Sequence, residues 1–493
     1  MIKLGLLDQL FYRLDESGMA PMVMQGASVL DPSTAGDRLD ADALAEHLAA
    51  RLWKIPLLRQ KVVRDPLRIG NLRLVEDPKF RIREHISRAT LPSPGDVDAL
   101  LRHLEKFSVQ RLDLGKPLWR FEVIDGLEGD RLALATKVHH CILDGVAGVQ
   151  TLSSLYDREP RPPERLARAP RRPNLREPSR LSLMGRALGD VAAQLIAGPR
   201  FLNRNSNALL RMLGGALRER MRTGGGPSAP MTSLNTRMSK DRRVVAFRRF
   251  DFQELKALTR ALECTINDLA LLLCSAALDR YFTDIGEHPT GDLLAMMPVN
   301  VRTQNHSTTG NVVSAAIVNL HTRIPRLTDR LRAIQRDARV GKEQVRPTDA
   351  PGIDFNEALE MFSPLLVDAL AAVGSRLASW SFLTDRFVLA NTVISNVPGP
   401  REDLYIAGAR VEYSIPMIPA VDGVTVSWGV MSFGRSLTIG FHGCGEAVRS
   451  KDLLIQGLEK AYAELRARFP AGSGSAPPGS SARSSPRSSS RRA

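Results

Sequence analysis

The chain has 493 residues and a formal net charge of +15 at pH 7, from 68 Lys and Arg against 53 Asp and Glu. Its hydrophobic fraction of 43% and charged fraction of 25% are ordinary for a globular protein, which excludes a collagen-like, coiled-coil or wholly disordered chain. The four cysteines are scattered and form no C-x-x-C pair, so the sequence has neither a disulfide framework nor a zinc-binding pattern.

The excess of basic residues is concentrated in two segments. Residues 157–222 hold fifteen Arg against six acidic residues, and the last 23 residues hold four Arg and no acid. Residues 157–180 are rich in Pro and Arg, which predicts an extended linker, and the last 23 residues are rich in Ser, Gly, Pro and Arg, which predicts a solvated, disordered tail. Because this charge lies in a linker and a tail rather than on a face of the predicted folded halves, and no nucleic-acid-binding signature is present, we expect no nucleic-acid partner.

The sequence predicts a protein that does not cross a membrane. The N-terminus meets Asp8 and Gln9 before a signal-length apolar run can form, and the longest apolar stretch, at 269–278, is too short for a transmembrane helix. We therefore expect any membrane contact to be peripheral. Together with the lack of a disulfide framework, this favours a reducing, cytoplasmic location.

Apolar spacing predicts the elements in chain order. They are helices at 41–53 and 96–112, strands at 119–125 and 131–138, helices at 181–195 and 210–221, a strand at 243–252, helices at 253–263 and 266–282, and strands at 293–302, 311–322 and within 409–442. This order favours an α+β fold of two halves joined by a long, partly helical crossover. The predicted boundaries are an N-terminal half at 1–156, a basic linker at 157–240, a C-terminal half at 241–470 and a disordered tail at 471–493.

The two linker helices are basic and amphipathic. Such helices can lie on an anionic lipid surface, and the same pattern arises when a helix packs its apolar stripe on its own protein. Both interpretations stay open at this point.

The strand at 131–138 runs directly into the sequence HHCILDG, residues 139–145. If strand alternation persists, His140 shares a face with Val138 and His139 points the other way, so that one histidine is chemical and the other structural. A histidine can take a proton from a hydroxyl or amine that attacks a carbonyl, which describes acyl transfer. Asp144 would orient a ring or pair with an Arg, and Gly145 would relieve crowding. Cys141 is either an alternative nucleophile or a small packing residue.

HHCILDG matches the HHxxxDG signature of the coenzyme A-dependent acyltransferase superfamily. Over nearly its whole length the chain resembles the bacterial wax ester synthase/diacylglycerol acyltransferase family in particular. The other blocks that carry the resemblance, in the family's order, are LLDQLFYRLDE at 6–16, VEDPKFRIREHI at 75–86, PLW at 117–119, TINDLALLL at 265–273, PVNVR at 298–302, GN at 310–311 and SNVPGP at 395–400.

The resemblance implies two chloramphenicol-acetyltransferase-like halves with a tunnel between them. It implies that His140 is the general base that deprotonates an acceptor alcohol, which then attacks the thioester of an acyl-coenzyme A without a covalent acyl-enzyme. His139, Asp144 and Gly145 would support the site. Asn267 would lie near it as an oxyanion donor, whereas Thr265 and Asp268 also fit a helix capping box.

The resemblance further implies that acyl-coenzyme A is a substrate, that no metal or other cofactor is needed, and that the acceptor is diacylglycerol or a long-chain fatty alcohol. The residues that bind coenzyme A are not identified. Because both substrates are lipids, we expect peripheral contact with the inner membrane or with lipid droplets and inclusions. Two alternatives remain: a condensation-type acyltransferase that uses a carrier-protein thioester, and a non-catalytic lipid-binding protein of the same fold.

Overall fold

The structure is a computed structural model that describes residues 1–18, 21–36, 39–143, 155–160, 176–196, 229–300, 313–345 and 388–470. Asp144, Gly145, the predicted helix at 210–221 and the predicted tail at 471–493 lie outside the described residues.

The described residues form an α+β fold, in which the predicted elements that fall among them occur in the predicted order. The sequence did not predict several others, including the helices Leu6–Glu16 and Leu327–Val345 and the strands Val23–Asp31 and Thr392–Val397. The helices are α1 (Leu6–Glu16), α2 (Ala41–Leu52), α3 (Val97–Val109), α4 (180–196), α5 (Phe252–Ala261), α6 (Ile266–Asp284), α7 (Leu327–Val345) and α8 (Lys451–Arg468). The strands are β1 (Ile2–Lys3), β2 (Val23–Asp31), β3 (Gln60–Val63), β4 (Arg73–Glu76), β5 (Ile86–Thr90), β6 (Trp119–Leu127), β7 (Arg131–His139), β8 (Arg243–Asp251), β9 (Leu294–Asn300), β10 (Val313–Asn319), β11 (Thr392–Val397), β12 (Tyr405–Ile406), β13 (Ala409–Met417), β14 (Val426–Phe433) and β15 (Ser436–Cys444). Short 3-10 helices occupy Pro32–Thr34, Pro56–Arg59 and Ile82–Glu84.

The first large sheet has the strand order β12-β13-β2-β7-β6-β5. Its β7 strand alternates as the sequence predicts: Leu134 and Val138 pack in one apolar cluster and Ala133 and Ala135 in another, on the opposite face. Helix α3 covers the second of these faces. The strand positions the site because β7 ends at the first histidine of the HHCILDG motif.

Two strands of the first sheet come from the far end of the chain. Strand β13 pairs antiparallel with β2, and the hydroxyls of Ser28 and Ser414 lie 2.9 Å apart across this pairing. The sequence range predicted as the C-terminal half therefore contributes to both large sheets. Sequence periodicity gives no information on such long-range pairing, and it also did not predict the small sheet β1-β4-β3.

The second large sheet has the order β10-β9-β11-β14-β15-β8 and packs against helices α6 and α8. Helix α6 begins with the predicted capping box: the Thr265 hydroxyl accepts from the Asp268 N–H at 3.2 Å, and the Asp268 carboxylate accepts from the Thr265 N–H at 3.0 Å. The second large sheet and its helices are called the second lobe here, and the first large sheet and its helices the first lobe. Leu271 and Leu272 of α6 are fully buried in the core of the second lobe, which also contains Trp428.

The two lobes approach closely at Pro416 of β13. A Cβ atom added at Gly440 of β15 would lie 2.2 Å from the Pro416 carbonyl oxygen, and one at Gly429 of β14 would lie 2.8 Å from the Pro416 Cβ. Elsewhere in the interface, Ser108 Oγ of α3 lies 2.7 Å from His442 Nε2 of β15. The glycines are therefore required for this close packing of the two sheets.

Helix α4 confirms the first of the two predicted linker helices. It is anchored by Asp190, which accepts hydrogen bonds from the Arg73 guanidinium at 2.7 Å and from the Asn71 N–H at 3.1 Å. The other side of the helix carries Leu181, Leu188 and Leu195, which are 78%, 56% and 71% exposed. Residues seven apart lie on one face of a helix, so these leucines form an exposed apolar stripe.

Among the described residues, no single helix is long and apolar enough to cross a membrane. Helices α5 and α6 reach that length and composition only as a pair, and their axes bend by 96° at the break between them.

Candidate active site

The first histidine of the motif, His139, is completely buried at the end of β7. Its Nδ1 accepts a hydrogen bond from the Cys141 N–H at 3.0 Å, and its Nε2 lies 3.3 Å from Asp15 Oδ2. A side chain enclosed in this way cannot contact a substrate. His139 thus has the surroundings of a structural residue, and the division of roles between the two histidines stays a prediction.

The second histidine, His140, lies just beyond the strand in a turn. The Ile142 N–H donates to the His139 carbonyl at 3.0 Å, which closes the turn, and the His140 N–H donates to the Met22 carbonyl at 2.8 Å. The expectation that strand alternation sets the direction of the His140 side chain is corrected here. Because β7 ends at His139, the turn determines where His140 lies.

The His140 imidazole is half-buried against the aromatic ring of Phe11 from helix α1, with 5.4 Å between the ring centroids. Burial lowers its pKa to about 4. At neutral pH the ring is therefore uncharged. An uncharged imidazole carries a lone pair on one nitrogen that can take up a proton, as a general base must.

Helix α1 supplies the carboxylate beside the histidine pair. Asp15 is buried and also accepts a hydrogen bond of 2.7 Å from the Arg111 guanidinium. Burial pushes the pKa of Asp15 upward, but the contacts with His139 and Arg111 outweigh burial and hold it below its ordinary value of 3.8. The carboxylate is thus ionised where it meets the His139 ring.

Cys141 is buried, and burial together with the charge of Asp8 raises the pKa of its thiol well above the ordinary value of 9.0. A thiol that stays protonated at neutral pH is a poor nucleophile. The structure favours the packing interpretation of Cys141 over the nucleophile alternative.

Asn267 lies in the first turn of helix α6, in the second lobe. Its Nδ2 donates to Met297 Sδ of β9 at 3.5 Å. A thioether is a weak acceptor, so this amide keeps most of its capacity to donate to a stronger one. The predicted oxyanion role of Asn267 stays a prediction, as do the supporting roles of Asp144 and Gly145.

Two of the other sequence blocks have an architectural role. Trp119 of the PLW block is buried, donates from Nε1 to the Leu58 carbonyl at 2.6 Å and stacks on His85 with 4.8 Å between ring centroids. In the SNVPGP block, a Cβ added at Gly399 would lie 2.1 Å from the Ser432 carbonyl oxygen. Both blocks fix local packing, and the PLW block also contacts the motif, because the His139 N–H donates to the Leu118 carbonyl at 3.0 Å.

Sequence reasoning did not identify Asp15 and Arg111, which lie far from the motif along the chain. A signal was present, since helix α1 has an acidic residue at both Asp8 and Asp15, two turns apart on one face. That pattern predicts a polar helix face, and only the structure shows that the face is buried.

Comparison with solved structures defines the class to which this fold belongs. The structure is similar to the wax ester synthase/diacylglycerol acyltransferase from Marinobacter aquaeolei, with a TM-score of 0.67 and 22% identity over 95% of this chain and 99% of that one. It is also similar to the starter condensation domain of rhizomide synthetase, with a TM-score of 0.52 and 13% identity over 94% of both chains. The fold is thus the two-lobed fold expected from the resemblance of the sequence.

Sequence comparison narrows this class to one family. The wax ester synthase/diacylglycerol acyltransferase catalytic domain matches residues 4–270, and the C-terminal domain of the same family matches residues 309–466. The chain is 27% identical to the O-acyltransferase WSD of Acinetobacter baylyi, over 92% of this chain and 94% of that protein. It is 31% identical to a protein of Mycobacterium tuberculosis named as a diacylglycerol O-acyltransferase, over 83% of this chain and 87% of that protein. The chain belongs to the wax ester synthase/diacylglycerol acyltransferase family.

Proposed function

We propose that the protein transfers the acyl group of an acyl-coenzyme A to the hydroxyl of diacylglycerol or of a long-chain fatty alcohol, with His140 as the general base. The observation that carries this proposal is the His140 imidazole, half-buried and uncharged at neutral pH, on a turn held by backbone hydrogen bonds. His140 takes the proton of the acceptor hydroxyl while the hydroxyl oxygen attacks the thioester carbonyl. The C–S bond then breaks, and coenzyme A leaves as the thiol with the proton that His140 returns.

The second lobe would stabilise the negative charge that develops on the carbonyl oxygen of the thioester. Family resemblance suggests Asn267 as a donor to the oxyanion that develops on the thioester carbonyl, and the weak contact of its amide with Met297 Sδ supports this role. Removing one oxyanion donor costs about 10²–10³-fold in kcat. No metal or further cofactor enters this reaction.

The test is the release of free coenzyme A thiol from palmitoyl-coenzyme A, with dioleoylglycerol or hexadecanol as the acceptor. Loss of a general base lowers the rate by about 10²–10⁴-fold, so we expect acceptor-dependent release to fall by that factor in His140→Ala. His288→Ala, which removes an exposed histidine of the second lobe, is the matched control. Unchanged release in His140→Ala would contradict the mechanism, and the faster acceptor identifies the product as triacylglycerol or wax ester.

The same assay separates the two alternatives. Transfer from a palmitoylated carrier protein, with none from palmitoyl-coenzyme A, would favour the condensation-type reaction. Binding of both lipids without transfer from either donor would favour a lipid-binding protein.

We further propose that the apolar stripe of helix α4 contacts the surface of a membrane or lipid droplet. The stripe consists of Leu181, Leu188 and Leu195, and contiguous exposed apolar surface of this kind marks interaction sites. The Asp190–Arg73 ion pair holds the opposite side of the helix on the protein, which leaves the leucines directed outward. Lipid substrates partition into such surfaces, so contact would bring the enzyme to them.

Co-sedimentation with vesicles of phosphatidylcholine and phosphatidylglycerol tests this contact. The triple substitution Leu181→Gln, Leu188→Gln and Leu195→Gln should reduce the bound fraction while transfer to hexadecanol in detergent micelles continues. Leu67→Gln, at a leucine of the first lobe that is also exposed, is the control and should bind like the unmodified protein. Equal binding of the triple variant and the control would refute the role of α4.

A further inference from the structure

Helix α1 buries its polar face, whereas an ordinary amphipathic helix buries its apolar face. Its most buried side chains include Asp8, Gln9, Arg13 and Asp15, whereas its leucines are only half-buried. Burying a carboxylate is unfavourable unless it is paired and hydrogen-bonded. The buried face of α1 must therefore hold partners for these groups, and for Asp15 the partners are Arg111 and His139.

The contacts of His139 determine which of its ring nitrogens carries the proton. Nδ1 accepts from the Cys141 N–H, so Nδ1 carries no proton and Nε2 does. Nε2 lies 3.3 Å from Asp15 Oδ2, and although this contact does not meet hydrogen-bond geometry, it places the negative charge of the carboxylate next to that nitrogen and favours a proton there.

The position of this proton matters because His139 is part of the turn that carries His140. The His139 carbonyl accepts from the Ile142 N–H, and its ring accepts from the Cys141 N–H, so backbone and side chain of one residue hold both amides of the turn. His140 lies between the strand and these two amides. If Nδ1 carried a proton, it could not accept a hydrogen bond from the Cys141 N–H. Two donors would then face each other, and the turn would lose this hydrogen bond.

We propose that Asp15 is a positioning residue, whose carboxylate keeps the proton of His139 on Nε2 so that Nδ1 holds the turn that presents His140. Arg111 supports it by holding the other carboxylate oxygen. The effect of Asp15 on the rate rests on the proposed function, in which His140 is the base. Its effect on His139 does not, and the two are measured separately.

The experiment combines a spectrum with kinetics on the full chain. In protein labelled with ¹⁵N-histidine, long-range ¹H–¹⁵N spectra distinguish the two neutral forms of each of the nine histidines, and the His139 signals are assigned by their loss in His139→Gln. We expect a proton on Nε2 of His139 in the unmodified protein and a changed pattern in Asp15→Asn. Misplacement of a reacting group by 1 Å can cost about 10²-fold, so kcat should fall by up to that factor, with KM for palmitoyl-coenzyme A nearly unchanged.

Two further variants separate positioning from general structural support. Asp15→Glu retains a carboxylate and should recover part of kcat and the original spectrum. Glu16→Gln removes the neighbouring, exposed carboxylate of the same helix and should change neither. A proton on Nδ1 of His139 in the unmodified protein overturns the proposal even if Asp15→Asn does not fold, and full kcat in a folded Asp15→Asn overturns it as well. Unchanged activity of His140→Ala would instead overturn the proposed function.

Discussion

Replacing Gly440 by Ala tests whether the two lobes depend on their close approach at Pro416. The added Cβ would lie 2.2 Å from the Pro416 carbonyl oxygen, whereas carbon and oxygen atoms in contact are about 3.3 Å or more apart. Strands β13 and β15 must therefore separate by about 1 Å, and overpacking of this kind costs about 1–3 kcal/mol. Because each kcal/mol lowers Tm by about 2–4 °C in a domain of 150–250 residues, we expect Tm to fall by several degrees.

Thermal unfolding followed by circular dichroism measures this change, and thiol release from palmitoyl-coenzyme A measures its effect on the reaction. The matched control is Gly291→Ala, because a Cβ at Gly291 meets no atom within 4 Å. We expect the control to keep its Tm within about 1–2 °C, since such a substitution in open space changes stability by less than about 1 kcal/mol. An unchanged Tm in Gly440→Ala would refute the conclusion that the lobes are tightly packed at this position.

Two further predictions concern titratable groups near the site. Cys141→Ala should retain most acyl transfer in the thiol-release assay, because burial keeps the thiol protonated, and loss of transfer comparable to that of His140→Ala would restore the nucleophile interpretation. Lys137 is 1% exposed, and burial lowers its pKa from 10.5 to about 7. The unfolded chain therefore binds more protons than the folded one between pH 7 and 10.5, so this residue makes stability rise with pH across that window, by roughly 2 kcal/mol between pH 7 and 9. Urea unfolding at pH 7 and pH 9 measures this contribution. Between these pH values the free energy of unfolding should rise less in Lys137→Met than in the unmodified protein, and an equal rise in both proteins would contradict the assignment.

Local patterns predicted much of the fold because they depend on residues close in sequence. Alternation along Leu132, Leu134 and Val138 predicted β7, and the spacing of Thr265 and Asp268 predicted the start of α6. Both features follow from backbone geometry within one element. The bounds of β7 differ from the prediction by one residue, and that residue is His139, where the strand gives way to the turn.

The remaining features depend on contacts between distant parts of the chain. The pairing of β13 with β2 and the contact of Asp15 with His139 leave no periodic pattern in the sequence, because each partner alone fits an ordinary strand or helix. Helix α1 is a further example, since the structure buries its polar face and leaves its leucines half-buried. Its polar residues are acceptable there only because distant residues such as Arg111 reach them.

The shared strand β13 also has a consequence for synthesis of the chain on the ribosome. Strands β2, β5, β6 and β7 are complete once residue 139 has emerged, but β13 begins only at Ala409. At about 5–20 residues per second, roughly 15–50 s pass before this strand is available, and during that time the edge of β2 is unpaired. Unpaired strand edges recruit other chains, so newly made copies of this protein are expected to need a chaperone, or a transient strand from their own chain, until translation reaches β13.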